Sequence, residues 1–304
     1  MTIYKLDDST LSYVDEKPFK LEKDIQNLCE QNLESLLGLE LVRSEFTVGN
    51  YRIDSLAYDN VQNSFVIIEY KRSDSRSVVD QGYAYLSTML NNKADFVLEY
   101  NESRKIPLRK TDIEWSQSRV VFIAPSFNAY QKEAINFKDL PIQLWEIKRY
   151  ANNVVSFAQI NPINSTESIN TIKRDNKEIE KVSSEIKVYS EDTHLEGKSQ
   201  ELIELYDNLK SYILNLGDNV IIRPTKMYIG FITKNNFCDI IIQKSRIKLW
   251  LNIPYNNLND PMNLARDVSK IGTQGNGDCE ISLHNSENLE YIIGLIKQSY
   301  NNKL

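Results

Sequence analysis

Histidine and cysteine are scarce in this 304-residue chain. The three cysteines, Cys29, Cys238 and Cys279, are far apart and form no C-x-x-C pair, and the two histidines, His194 and His284, are isolated. These absences exclude a Cys/His zinc site and a disulfide framework, and they fit a reducing, cytoplasmic setting. No apolar run approaches the roughly 18–20 residues of a membrane-spanning helix, which excludes an integral transporter. The opening MTIYKLDDSTLSYVDEK is polar and partly acidic, unlike a signal peptide, so a secreted protein is not expected. A surplus of cations is also missing: 36 Lys+Arg stand against 42 Asp+Glu, a net charge of −6. General DNA coating is therefore disfavoured, and any contact with nucleic acid falls to local basic patches.

What is present is an ordinary globular composition, 41% hydrophobic and 26% charged, over a length that suggests two domains. Residues 19–37 place Leu21, Ile25, Leu28 and Leu33 on one helical stripe that ends at Gly38. Strands are expected at 40–48, 51–58 and 64–71, separated by Gly49-Asn50 and Asp59–Asn63. A helix is expected over 77–91 and a strand over 94–100 (ADFVLEY). The buried-looking strand RVVFIAP comes next, then a short helix near 128–137 and strands near 142–149 and 153–160. This order predicts an α/β domain with a mixed sheet over 1–160.

Residues 161–198 are rich in Ser, Thr, Asn, Glu and Lys, with Tyr189 the one aromatic, and read as a polar linker carrying at most a short exposed helix. The alternative is a long surface excursion of a single domain. Residues 199–304 read as a small α+β domain: an amphipathic helix near 199–216, strands at 226–233, 236–243 and 246–253, the strand CEISL and a final helix. The GTQGNGD stretch lacks the spacing of a phosphate-binding loop and reads as a turn into CEISL.

The strands RIDSLAY and SFVIIEYK carry the chemistry. Side chains alternate along a strand, so Glu69 and Lys71 share a face, and a hairpin at Asp59–Asn63 brings Asp54 near Glu69. Two converging carboxylates offer hard oxygen ligands to Mg²⁺ or Mn²⁺, and a lysine beside them can orient or deprotonate water and offset charge on a phosphodiester. Glu69 also interrupts an apolar run on what should be a buried central strand, which is costly unless the carboxylate is paired or metal-bound. The competing reading is a Glu69–Lys71 or Glu69–Arg52 ion pair without catalysis.

Asp54 followed by Glu69-Tyr70-Lys71, each half on its own strand behind a leading helix, resembles the PD-(D/E)XK, or restriction-endonuclease-like, nuclease superfamily over roughly residues 19–124. The resemblance implies an αβββαβ core with a mixed sheet and a Mg²⁺- or Mn²⁺-dependent nuclease acting on DNA, as an endonuclease of restriction or defence type. It implies metal ligation by Asp54, Glu69 and the Tyr70 carbonyl. It also adds Glu22 on the first helix, a role Glu30 or Glu34 could take instead. Gln81 and Tyr85 match the superfamily's Q-x-x-x-Y pattern, as seen in NucS-like endonucleases. The one departure is Ile53 in place of the proline that precedes the aspartate.

Arg52, Arg72, Arg76 and Tyr85 are the expected nucleic-acid contacts, with Arg104, Lys105, Arg109 and Lys110 as further candidates for a phosphate track. The expected partner is nucleic acid, DNA first, with no membrane; a homodimer is left open. The second half resembles a small domain of unknown function that accompanies nuclease-like regions in bacterial proteins. The residues carrying this likeness include Tyr228-Ile-Gly-Phe231, Asp260-Pro261 and Gly275-Asn-Gly-Asp278. Its balanced charge argues against non-specific DNA coating by this half, and the Asn-rich loop 252–263 and the GTQGNGD loop, expected to stay exposed, point to substrate selection or dimerisation, with catalysis in the first half. The alternative for the whole chain is an inactive nucleic-acid-binding or protein-interaction module that keeps the nuclease fold.

Overall fold

The structure, a computed structural model, describes residues 2–72, 77–105, 107–137, 139–161, 168, 177–233, 235–271 and 275–303. The chain forms two units, Met1–Val188 and Tyr189–Leu304. Among the described residues, no helix is long and apolar enough to cross a membrane.

The first unit opens with a hairpin of β1 (Tyr4–Asp7) and β2 (Thr10–Tyr13). The helix expected over 19–37 is two, α1 (Glu22–Gln31) and α2 (Leu33–Leu37), broken at Asn32, whose side chain caps the Leu28 carbonyl. Beyond them lie β3 (Glu40–Val48), β4 (Tyr51–Asp59), β5 (Ser64–Tyr70), α3 (Val78–Asn91), α4 (Lys93–Arg104), β6 (Arg119–Ala124), α5 (Ala129–Ala134), β7 (Ile142–Arg149), β8 (Val155–Ile160) and α6 (Lys177–Glu185). Strands β3 to β8 form one sheet in sequence order. It is antiparallel except at β5–β6 and β6–β7, the two places where helical crossovers allow parallel pairing.

β5 is an inner strand, antiparallel to β4 and parallel to β6, and all seven of its residues are buried. Both faces of the sheet are covered, which explains the apolar run Phe65–Ile68. Phe65 and Ile67 face the core shared with α3, α4 and α6; Val66, Ile68 and Tyr70 face the core shared with α1 and α2. At the base of the β4–β5 hairpin, buried Asp59 accepts from Arg119 at 2.8 Å and from the amides of Val61 and Gln62 at 3.0 Å, which pins the turn.

Two expectations are corrected by the structure. Residues 94–100 are helix, not strand: Phe96 and Tyr100, four apart, are buried while Leu98 is exposed, the opposite of strand alternation. Nor is 161–198 a continuous linker. Ile179, Val182 and Ile186, at spacings of three and four, seat α6 in the first unit's core, and Lys187 bonds Ser116 and Gln117. The strand after the central helix is thus β6, so the order helix, three strands, helix, strand holds with a second helix inserted.

The second unit contains α7 (Glu191–Leu195), α8 (Gln200–Leu214), β9 (Ile221–Pro224), β10 (Ile229–Ile232), β11 (Asn236–Ile242), β12 (Ile247–Leu251), β13 (Arg266–Asp267), β14 (Cys279–Leu283) and α9 (Leu289–Asn301). Its antiparallel sheet runs β13-β14-β12-β11-β10-β9, with short edge strands β9 and β13 added to the expected four. Leu205, Leu209, Ile292 and Ile296 of the two long helices share a core with Phe231, Ile240, Leu249 and Ile281 of the sheet.

In register across the sheet lie Gly230, Asp239, Trp250 and Glu280. Asp239 is fully buried and accepts from Asn236 Nδ2 and from both the backbone and the side-chain amide of Asn276. These bonds hold residues 275–278 against the sheet, leading into β14; the rest of the GTQGNGD turn, 272–274, lies outside the described residues. Gly277, at φ +142°, is required there, because a Cβ would fall 2.3 Å from the Leu251 carbonyl oxygen.

Burial pushes the Asp239 carboxyl up to about 7, against the three donated hydrogen bonds, which act to lower it. Its unfolded value is about 3.9. The native state therefore holds the extra proton between these values, and stability must fall as pH rises from about 4 to 7. Hydrogen exchange across 275–283, corrected for its intrinsic pH dependence, should show protection dropping on the order of tenfold or more between pH 5 and pH 8.

Candidate active site

The site forms where β4 and β5 part. Their ladder ends at Ser55 opposite Ile68, and the same register places Asp54 opposite Glu69. There Asp54 Oδ2 accepts the backbone N–H of Tyr70 at 3.0 Å. On its other side Asp54 stands opposite Glu45 of β3, which adopts φ +56° between the paired residues Ser44–Ser55 and Phe46–Ile53. A left-handed glutamate within a strand is costly. It is held by Lys23 at 2.8 Å and by Arg52 at 2.5 Å, and these bonds, Lys23 first, keep its carboxyl below the usual range.

Glu69 projects with Phe65 and Ile67 toward α3 and is only 5% exposed. Its Oε1 accepts from Lys71 Nζ at 2.7 Å and Gln81 Nε2 at 2.8 Å, and its Oε2 from the Tyr85 hydroxyl at 3.0 Å. Gln81 and Tyr85, one turn apart on α3, are also bonded to each other at 3.0 Å. The Ser77 hydroxyl caps α3 through the Asp80 amide and so sets where Gln81 and Tyr85 fall. Burial and the adjacent Glu69 charge push the Asp54 carboxyl up to about 6, against the Tyr70 amide and Lys71. Burial likewise raises the Tyr85 phenol, with Glu69 adding to it, so Tyr85 remains a donor.

The remaining candidates lie around this centre or apart from it. The Glu22 carboxylate accepts the Arg72 backbone amide at 3.0 Å, and the Arg72 guanidinium reaches the Lys20 carbonyl. Together they tie the start of α1 to the end of β5. Glu30 faces Ser55 and Gln26 on the α1 side of the sheet. The Tyr70 ring turns to that side too, accepting from Ser55 at 3.2 Å, so its main chain alone is at the site. Arg52 is committed to Glu45, Arg104 to Glu40 and Arg109 to Asp112. Arg76 lies outside the described residues. Among the described residues, no three His, Cys, Asp or Glu side chains converge as a metal cluster. Asp54 and Glu69 stand side by side at the site, with Glu45 on the other side of Asp54.

The donor set nevertheless suits a hard divalent cation. It comprises two largely buried carboxylates whose mutual repulsion raises one of them, and the Asp54 Oδ1 accepts no hydrogen bond among the described residues.

Comparison with known proteins places the chain in a family. It is 48% identical over 299 residues to an uncharacterized protein of Haemophilus influenzae, covering 98% of this chain and 99% of that one. The chain belongs to that protein's family. Its residues 191–303 also match the model of a domain of unknown function, DUF5655. Weak overlaps occur with a repair endonuclease from Pyrococcus abyssi (19% identity, 38% of this chain and 43% of that chain, TM-score 0.22) and with EndoMS in a double-stranded DNA complex (13%, 48% and 64%, TM-score 0.24). The chain thus spans less than half the length of the first of these structures, and overlaps at these scores carry no argument about activity.

Two residues of the site were not legible as such in the sequence. Glu45 acts through a backbone angle that no side-chain pattern encodes. Gln26, buried on α1 beside Ile25, donates to the Asp54 backbone carbonyl at 2.9 Å and to Glu30 at 2.9 Å. A buried amide next to a core position was its one signal. Gln26→Ala would remove the side-chain donor to the Asp54 carbonyl and leave Glu30 with Ser55 alone of these two donors, and urea denaturation should register a loss of roughly 1–3 kcal/mol. Gln26→Glu, which cannot donate when ionised, should be at least as harmful near neutral pH.

Proposed function

We propose that the first unit is a divalent-metal-dependent nuclease of the PD-(D/E)XK type, hydrolysing phosphodiesters in nucleic acid, with DNA the first candidate. The single observation that carries this reading is Asp54 beside Glu69 where β4 and β5 diverge, with Lys71 donating to the buried Glu69. Such a strand end sits at the margin of the sheet, where a substrate can approach, while the rest of β5 is enclosed.

Asp54 and Glu69, with the Tyr70 carbonyl, would hold Mg²⁺ or Mn²⁺. When bound, the ion supplies positive charge against the phosphodiester and acidifies water. Lys71 keeps an ammonium beside Glu69, where it offsets negative charge developing on the phosphoryl oxygens. Gln81 and Tyr85 are positioning residues: each donates to Glu69 and fixes its rotamer. Glu22 keeps Arg72 at the end of β5 by binding its amide.

A second reading, a binding module without turnover, is favoured by one observation: three donors already engage Glu69. The two readings separate in an assay of the purified full chain with Mn²⁺ on single- and double-stranded DNA and RNA. We expect cleavage that EDTA abolishes. Glu69→Ala should reduce it on the order of a hundredfold or more, while the exposed Glu290→Ala variant in the second unit retains it. Binding without metal-dependent cleavage would support the module instead.

A further inference from the structure

Beside the carboxylates, an open groove of about 420 Å³ runs between the start of β4 and the first turns of α3, lined by Tyr51, Ser77, Asp80, Gln81, Ala84 and Tyr85. Its volume is that of a small-molecule cleft, roughly 300–1,000 Å³. It adjoins the catalytic centre directly, because Gln81 and Tyr85 line the groove and both donate to Glu69. The chemistry of the lining is unusual for a site flanking a phosphodiester. None of the six residues is basic, and Asp80 is an exposed carboxylate that would repel a phosphate.

The groove does offer an aromatic surface. Tyr51, first residue of β4 after the Gly49-Asn50 turn, is 40% exposed. Its ring is fixed by an edge-on contact with the buried Tyr85 ring, at 5.8 Å between centroids and 77° between planes. An exposed aromatic ring held rigid by its neighbour is a stacking platform, and base–aromatic stacking tolerates any base because every base has a π-face. Asp80 and Ser77 add polar groups of the kind that meet base edges, Asp80 accepting from exocyclic or ring N–H groups. Tyr85, expected from the sequence as a nucleic-acid contact, is almost fully buried and bonded to Glu69, which leaves Tyr51 as the exposed ring of the groove.

We propose that this groove binds an unstacked nucleobase adjacent to the scissile phosphate, with Tyr51 as the stacking residue, so that the substrate is single-stranded nucleic acid. The proposal rests on the nuclease reading for its substrate class. It adds that a base in a continuous duplex, stacked on both faces, cannot occupy the groove.

The test is binding of the full-length protein to a fluorescent 12-nucleotide single strand and to the duplex of the same sequence, in EDTA so that no cleavage occurs. The single strand should bind more tightly than the duplex. Tyr51→Ala should weaken single-strand binding about tenfold, while Tyr51→Phe and Tyr51→Trp retain it. Equal or tighter duplex binding would overturn the proposal, as would a Tyr51→Ala affinity within twofold of the parent or no binding to either form. If Tyr51-dependent binding is present but the Mn²⁺ assay gives no cleavage, the groove stands and the nuclease reading falls. Cleavage with single-strand binding indifferent to Tyr51 would have the reverse meaning.

Discussion

The constraint on which the first unit depends is a buried carboxylate at the end of its central strand. Enclosing β5 on both faces and both edges builds a core, and placing Glu69 there requires that its charge be compensated. The chain meets that requirement with Lys71 two residues along, and with Gln81 and Tyr85 a turn apart on α3. The arrangement explains the Ser77 cap and α3's packing against the sheet, where Gly82 lies so close to Ile142 that a Cβ would clash with it. A second carboxylate, Asp54, is then held beside the first. Its side chain replaces a ladder partner for Tyr70, its carbonyl is gripped by Gln26, and the opposite strand yields at Glu45. Compensation of Asp54 is incomplete, as its raised pKa records. A cation bound between the two carboxylates would relieve that conflict.

Much of this was legible in the chain itself. Alternation along SFVIIEYK put Glu69 and Lys71 on one face, and the break in its apolar run marked Glu69 as special. The hairpin turn at Asp59–Asn63 brought Asp54 alongside. A short helix in 161–198 is within the sequence reading, but not its burial: three apolar residues in a polar stretch look insufficient, yet Ile179, Val182 and Ile186 have helical spacing and all are buried. ADFVLEY misled because three of its apolar residues alternate; burial follows Phe96 and Tyr100, and exposed Leu98 breaks the alternation. Gln26 and Glu45 are hidden for a deeper reason: Gln26 acts on a main-chain carbonyl of a distant strand, and Glu45 matters through its own backbone angle. The hairpin of β1 and β2, exposed throughout, has no burial pattern to announce it.

The second unit obeys a different logic. In its sheet buried Asp239 organises a glycine-rich turn, where in the first unit Glu69 stands beside a second acid. Asp239 is surrounded by asparagine amides rather than by a second carboxylate and a lysine. It thus has the surroundings of a structural anchor.

If Asp54 and Glu69 together form one cation site, as proposed, calorimetric titration of the metal-free protein with Mn²⁺ tests it most directly. Saturable binding is expected near pH 7.5, lost in both Asp54→Asn and Glu69→Gln, with each variant still folded by circular dichroism. Absence of saturable binding, or binding unchanged in either variant, would contradict a shared site.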